Sequence, residues 1–474
     1  MAKKIEYPLY DIIPSQETMA TLVRYSIHKE VVQIPFSVIV PAKLSKALLL
    51  KAYNLELQRN DALRVRFTIE GMHIGQVGGK IRQYFLPEVR TDSLNFKSFS
   101  SKEEQDKFFN EDARKPVKYL DGETYRFIVF ETHDGKTGLY LNISHVMSDA
   151  LGAVIFFGDL LKVYLALKNG TELPEPPASY EEVVKKELSY IGSPKYAKDA
   201  EFYKHYWADN GEPFYAGIHG HNVLDAARKK DPNIRIPKAY DPLKDEAEIC
   251  IRSISKELTD AVYDFCRKVL VSPEVVFMFG CREHASKVNR RADDILNLCM
   301  CSRRASVATK TTGGCLAQPI QLRVKTPEAD TFAEAVTRLA DNRNTLIRHM
   351  NFPYLHALNL QHKTFGLDIS QGPSCFMFSW LPIAYIGNSM GLDFEVDGYC
   401  MGRYVMPLYV IALPDPKTGE TRIYYMRRTA LISEEVIDVL HENLVKTLEL
   451  GTSNPDVTVG EILDNLKNIP GNED

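Results

Sequence analysis

At 474 residues the chain is too long for one ordinary small domain and fits roughly two to three folded units. Hydrophobic residues make up 45% and charged residues 25%, the balance of a folded, soluble protein. With 58 basic against 62 acidic side chains, the formal net charge is −4, which gives neither a basic excess for nucleic acid nor an acidic solvating tail.

The opening MAKKIEYPLYDIIPSQ has two lysines but no apolar core behind them, so it does not read as a signal peptide. A helix is predicted from Leu44 to Leu57, followed by a strand-like LRVRFTIE from Leu63 and by KIRQYFLPEV. A polar helix near Ser101 to Asn110 precedes the strand TYRFIVFET from Thr124, and HDGK at 133–136 reads as a tight turn.

The next segment, Leu139 to Asp149 (LYLNISHVMSD), is the most informative in the chain. Leu139, Leu141 and Ile143 alternate with Tyr140, Asn142 and Ser144, the period of a half-buried strand. His145 falls where that strand should end. Ser148 and Asp149 are helix-capping residue types, and the apolar run ALGAVIFFGDLLKVYLAL follows at once. A histidine thus stands at a strand end, four residues before an aspartate at a helix start. The apolar run itself, Ala150 to Phe157 at its densest, is far below the ~20 residues of a membrane span, so none is expected.

That helix should end near Lys168 at Asn169-Gly170, before a Pro-rich connector, LPEPPASYEE, which is the first plausible boundary. Tyr180 to Trp207 reads as helical. Residues 210–244 are polar and irregular, with Gly211, Gly217, Gly220, Pro232, Pro237 and Pro242, and are long enough to lie over a site or run between domains. A strand (AEICIRSIS), a helix from Lys256 to Lys268 and an apolar helix opened by Ser272-Pro273 come next. DDILNLCM and CLAQPIQLRV read as strands, Thr331 to Met350 as a long helix, and CFMFSWLP, YVMPLYVIAL and TRIYYMRR as hairpin strands before a helix from Glu434 to Leu448. Both halves share a plan of strands plus helices.

All eight cysteines lie at or after Cys250 and none forms CxxC, a pattern of reduced thiols expected of a cytoplasmic protein rather than of a disulfide framework or zinc site. His219 and His221 sit in the irregular segment and make a weak metal signal, so no metal is expected. Gly78-Gly79 and Gly313-Gly314 lack the lysine and spacing of a phosphate loop. Asn142-Ile-Ser144 matches a glycosylation sequon that is moot in a cytosolic strand.

The segment around His145 resembles the HHxxxDG motif of the condensation domains of nonribosomal peptide synthetases. Their superfamily includes chloramphenicol acetyltransferase, plant acyltransferases and alcohol or wax-ester acyltransferases. Further matches follow in order along the chain. YPLYDIIPSQ is similar to the opening segment, RNDALRVRF at 59–67 to RHExLRTxF, and DAEFYKHYWADN at 199–210 to a linker helix ending in Tyr-Trp. VSPEVVFMFGCREHASKVN resembles the following helix. NLCMCSRRA and GGCLAQPIQLRV resemble paired strands carrying an arginine and an IGxxxNT-like turn. HMNFPYLHAL resembles HxxxPFxxL, and SCFMFSWLPI completes the order. The departures are Ser144 in place of the first histidine, Ala150 in place of the glycine after the aspartate, and Gln318 at the asparagine of the turn.

The resemblance implies an α/β (α+β sandwich) fold of two chloramphenicol-acetyltransferase-like halves forming a V-shaped pseudo-dimer with a central tunnel. On this plan residues 1–175 are the amino-terminal half with the HxxxD motif, 176–245 a connecting helix and loop, and 246–474 the carboxy-terminal half. It further implies that His145 is the general base for an acceptor hydroxyl or amine attacking an acyl thioester. Asp149 is then structural, paired with Arg64 or, as second choice, Arg66. Ser148, Gln318 and Ser379 are candidate substrate contacts. Ser148 also suits a simple capping role and Gln318 a turn role. Arg303 and Arg304 read better as surface charge than as contacts to a coenzyme A phosphate. The donor expected is acyl-CoA or a phosphopantetheine thioester, with no permanently bound cofactor. The expected partners are a small-molecule acceptor and an acyl or peptidyl carrier protein. The chain carries no adenylation or carrier segment and is expected to be free-standing. Residues 210–244 are expected to shape one tunnel mouth. Ser144 and Ala150 motivate the alternative of a catalytically degenerate module that binds a carrier or ligand without chemistry.

Overall fold

The computed structural model describes residues 7–71, 79–236, 243–368, 372, 374–383 and 395–472. Gly78, Pro237 and Pro242, and the first six residues of the opening segment, lie outside the described residues. In chain order the elements are β1 (Tyr10–Asp11), α1 (Pro14–Tyr25), β2 (Gln33–Val40), α2 (Lys46–Arg59), β3 (Val65–Glu70), β4 (Lys80–Phe85), β5 (Phe96–Ser98), α3 (Lys102–Ala113), β6 (Tyr125–Glu131), β7 (Thr137–Ser144), α4 (Ala150–Asn169) and α5 (Tyr180–Tyr190). They continue with α6 (Pro194–Ala208), α7 (Asn222–Arg228), β8 (Ala247–Ile254), α8 (Lys256–Val269), α9 (Pro273–Val288), β9 (Asp294–Cys301), α10 (Val307–Thr311), β10 (Gln318–Lys325), α11 (Phe332–Arg348) and α12 (Tyr354–Phe365). The last are β11 (Met377–Trp380), β12 (Glu395–Gly398), β13 (Leu408–Pro414), β14 (Thr421–Arg428), α13 (Glu434–Ser453) and α14 (Val459–Asn465).

The chain forms two compact units. Unit 1 comprises residues 1–196, 302–317 and 383–402, and unit 2 comprises 197–301, 318–382 and 403–474. The two short returns to unit 1 from the second half of the chain matter for the site.

Unit 1 is built on a five-stranded sheet in the order β12-β2-β7-β6-β5. The strand ending before His145, β7, lies between β2 and β6 and pairs antiparallel with both. Its alternation suggested one solvated face, yet every residue of β7 is buried. The polar set is covered by α3: Tyr140 stacks on Phe109 and donates to Asp112, and Asn142 donates to the Asp112 carbonyl. The other face meets α4, with Phe36 edge-on to Phe157 and Phe127 edge-on to Phe156. This explains why α4 is apolar on most of its circumference. It is long and apolar enough to cross a membrane by composition, but 72% of that window is buried inside the fold, as in the core helix of a globular unit. Its end follows expectation: Gly170 takes φ 66°, and its N–H returns to the Ala166 carbonyl. A small sheet, β1-β4-β3, completes unit 1.

Unit 2 is built on a six-stranded mixed sheet, β10-β9-β11-β13-β14-β8. β9 and β10 pair antiparallel in full register, as do β13 with β14 and β14 with β8. β11 is not a hairpin strand: it runs parallel to both β9 and β13, so its connections must cross over. Helix α9 is buried along nearly its whole length, with Phe279 edge-on to Phe332 of α11. The helical stretch expected from Tyr180 to Trp207 breaks at Gly192, φ 79°, into α5 and α6. The irregular stretch at 210–244 contains the short helix α7 and is tied to the unit by hydrogen bonds from Asn289 to Gly217 and from Arg323 to the Gly211 carbonyl.

Candidate active site

His145 is the first residue beyond β7. Its N–H donates to the Val32 carbonyl at 2.8 Å, so the sheet pairing holds its backbone one residue past the strand. The chain then turns, with the Met147 N–H donating to the Ser144 carbonyl at 2.9 Å, and enters α4 through Asp149. The imidazole is partly exposed. Burial of the ring lowers its pKa from the ordinary 6.5, against an upward pull from the Asp149 charge and from backbone groups of His145 and Ser148. The ring is therefore neutral at pH 7, as a proton acceptor must be.

Asp149 is buried and fully engaged. Oδ1 accepts from the Gly152 N–H at 2.8 Å, the helix cap, and from Arg304 Nη2 at 2.8 Å. Oδ2 accepts from the backbone N–H groups of Leu316 and Ala317, each at 2.9 Å. Burial alone would raise the carboxyl pKa, but the Arg304 guanidinium and the Leu316 and Gly152 N–H groups outweigh it and hold the pKa below 3.8. Capping and ion pairing thus coexist in one side chain.

The ion-pair partner is Arg304, not Arg64. Arg64 ends the turn before β3 and folds back over the end of α2, donating to the carbonyls of Leu57 and Gln58 there and of Leu86. Those are last-turn carbonyls that lack helical partners, and an arginine at a helix C-terminus satisfies them. Arg66 is likewise spent on local carbonyls, those of Leu63 and Val65. Arg303 and Arg304 are not surface charges: they are only 5% and 9% exposed. Arg304 also donates to the carbonyls of Thr309, Thr312 and Gly314. Arg303 pairs with Glu187 and takes φ 55°, a left-handed conformation costly for a residue with a Cβ.

Between them these contacts define a five-residue segment, 313–317, laid along the HxxxD turn. Ser148 Oγ donates to the Gly313 carbonyl at 2.5 Å, Gly314 accepts from Arg304, and the Cys315 N–H donates to the Met147 carbonyl at 3.0 Å. Leu316 and Ala317 complete the row at Asp149. Gly313-Gly314 is thus a packing device. A Cβ on Gly314 would lie 2.0 Å from the Tyr180 ring, and one on Gly313 2.7 Å from Asn60 Oδ1.

The structure brings His145, Asp149 and Ser148 together in unit 1 and turns Arg64 elsewhere. Ser148, 1% exposed, is committed to the protein's own backbone. Gln318 and Ser379 belong to unit 2. Gln318 is 1% exposed and donates to the carbonyls of Met350 and Phe352, so its amide fixes the entry to α12. Ser379 is buried on β11, between β9 and β13 of the unit 2 sheet. The residues beside this turn that sequence reasoning missed are Arg304 and Cys315. The first lay in the SRR segment, where two adjacent arginines gave no choice. Cys315 Sγ lies 3.9 Å from His145 Nδ1 and carried no signal of its own. Among the described residues, no three His, Cys, Asp or Glu side chains are grouped to hold a metal ion.

A model of the condensation-domain family matches residues 6–365. Surfactin synthase subunit 1 of Bacillus subtilis is 24% identical over 413 residues, which is 86% of this chain but 11% of that protein. The chain therefore spans about a tenth of the length of this relative. Among solved structures, the first condensation domain of the calcium-dependent antibiotic synthetase, in complex with a substrate analogue, superposes with a TM-score of 0.78 at 15% identity, covering 96% of this chain and 98% of that one. The starter condensation domain of rhizomide synthetase, a mutant in complex with C8-CoA and Leu-SNAC, gives 0.77 at 14% identity over 97% and 98%.

Proposed function

This chain belongs to the condensation-domain family, and from that premise we propose that it is an acyltransferase in which His145 is the general base. An acyl thioester, on coenzyme A or on the phosphopantetheine of a carrier protein, is the donor. A hydroxyl or amine is the acceptor. Neutral His145 takes the acceptor's proton as the heteroatom attacks the thioester carbonyl. The C–S bond then breaks, the new ester or amide C–O or C–N bond is complete, and the imidazolium returns the proton to the departing thiolate. No covalent enzyme intermediate is needed.

The observation that carries this reading is the placement of His145 at the end of β7, its backbone tied to Val32 and followed by a turn whose aspartate makes four hydrogen bonds. The degenerate alternative has less in its favour. Ala150 is accommodated as the first residue of α4, and the position that must stay bare is Gly152, which the chain keeps. The complex of a related domain with C8-CoA supports a thioester donor, and the synthetase relatives support a carrier-protein partner. Cys250, Cys266, Cys281, Cys299, Cys315 and Cys375 are buried free thiols, which supports a reducing, cytoplasmic setting.

The test is turnover of acyl-CoAs and carrier-bound acyl groups with a panel of alcohols and amines, comparing wild type with His145→Ala. The expected loss is about 10²–10⁴-fold in kcat, the usual contribution of a general base. Turnover that survives the alanine change removes His145 from this role. Donor binding without turnover in the wild type would favour the binding module instead.

A further inference from the structure

The imidazole of His145 has a neighbour that the acyl-transfer reading does not use. Cys315 Sγ stands 3.9 Å from Nδ1, and the cysteine is fully buried. Its place is set by backbone contacts to three separate elements. The N–H donates to the Met147 carbonyl in the HxxxD turn at 3.0 Å. The carbonyl accepts from Ser15 Oγ of α1 at 3.0 Å and from Tyr180 Oη of α5 at 3.2 Å. The next two residues are anchored on Asp149, and Gly314 before it is pressed against the Tyr180 ring. The backbone that carries the sulfur therefore cannot drift away from the ring without dismantling the segment that also holds Asp149.

A neutral imidazole carries one N–H and one lone pair, and only the nitrogen with the lone pair can accept a proton. We propose that Cys315 is a positioning residue: its sulfur accepts the Nδ1–H of His145 and holds the tautomer whose lone pair is on Nε2. The inference rests on the reading of His145 as the base. It adds a side-chain acceptor for the ring beside the backbone groups of His145 and Ser148 that also face it. A thiol suits the task. A carboxylate at this place would charge the ring, whereas a buried neutral sulfur orients it, fills space and keeps water off Nδ1. Burial, reinforced by the Asp149 charge, pushes the thiol pKa upward, so the sulfur stays uncharged and is no nucleophile.

Two variants of the full-length protein separate acceptor from packing. Cys315→Ser keeps a hydrogen-bond acceptor, and Cys315→Val keeps the bulk without one. The direct readout is the ring ¹⁵N spectrum of labelled histidine, with His145→Ala used to assign the His145 signals. Wild type and Cys315→Ser should show Nδ1 protonated and Nε2 bare over the neutral range. Cys315→Val should show a mixture of tautomers, with the midpoint of the His145 titration moved by about half a unit. In acyl transfer, Cys315→Val should lose about tenfold in kcat with KM nearly unchanged, the low end for a residue that orients a functional ligand, while Cys315→Ser stays within threefold of wild type. A wild-type-like tautomer and titration in Cys315→Val overturns the proposal. So does an equal loss in both variants, which would mean that Cys315 only packs. The spectrum needs no turnover, so a shifted tautomer in a protein that transfers no acyl group upholds the positioning and refutes the acyltransferase reading instead.

Discussion

Asp149 shows how a single side chain can be legible in type and illegible in partner. A capping residue type, followed at once by an apolar helix, announces the cap. The ion pair was equally expected, but its partner stands 155 residues away, and nothing in a spacing distinguishes Arg304 from Arg64. Removing the Asp149 charge strands a guanidinium that is 4% exposed and turns a carboxylate acceptor into an amide that faces N–H donors. Asp149→Asn should therefore destabilise the fold by about 3–5 kcal/mol, the usual cost of breaking a buried pair from one side. Denaturant midpoints would measure this, and a loss of less than 1 kcal/mol would show the pair to be dispensable. The His145 ring makes a separate prediction. Its folded pKa lies below 6.5, so kcat/KM should rise with pH through a midpoint below that value. Stability moves in the same direction. The unfolded chain takes up the proton first as pH falls below 6.5, which costs the folded state stability, and Asp149 adds a second loss as pH falls below 3.8 through its depressed pKa. An acid limb centred above 6.5 would show that another group controls the rate.

At the scale of elements, the junction of β7 and α4 was the best-read part of the chain, and still only one of its two faces was read correctly. Alternation identified the strand, but period 2 says which residues share a face and not what covers that face. Here α3 covers the polar set, so Tyr140 and Asn142 are inside and spend their polar atoms on Asp112. β2, the partner on one side, escaped notice because Pro35 interrupts its run. The proline is tolerated opposite Asn142, where its carbonyl still accepts from the Tyr399 N–H. At the start of α4, Ala150 seemed the exceptional residue, but the close approach is two residues later. A Cβ on Gly152 would lie 2.3 Å from Ser148 Oγ and 2.4 Å from the Gly313 carbonyl. Gly152→Ala must push segment 313–317 off the turn and should cost about 1–3 kcal/mol, with a loss of activity. Ala150→Gly, at the first helical turn, should cost less than about 1 kcal/mol and leave turnover intact. Thermal melts and rates on the two variants would check the contrast, and equal effects would place the constraint elsewhere.

Over the whole molecule, the order of most of the longer elements was readable because each is a local pattern, whereas the way unit 1 is completed is not local at all. Apart from the Gly152 cap, the donors on Asp149 come from residues 155–168 positions further along the chain. β12, at 395–398, pairs with β2 and supplies the edge of the same sheet. Hydrogen bonds, one short strand and the packing of Leu316 on Tyr180 and of Tyr399 on Phe109 and Tyr140 bind these returns, and no periodicity in a single sequence marks them. The arrangement has a consequence for folding. A fragment of residues 1–196 contains β7, His145 and α4, but lacks Arg304, the 313–317 segment and β12. In it Asp149 would be a buried carboxylate with only its helix cap, and β2 would present an unpaired edge. The fragment should show no cooperative thermal transition by circular dichroism, and adding the 197–474 piece in trans should restore one if the two find each other. The in-trans arm reports the returning segments, since neither piece alone contains both Asp149 and Arg304. A cooperative melt of the 1–196 fragment by itself would show that the amino-terminal sheet folds without its returns, and that Arg304 serves the chemistry rather than the fold.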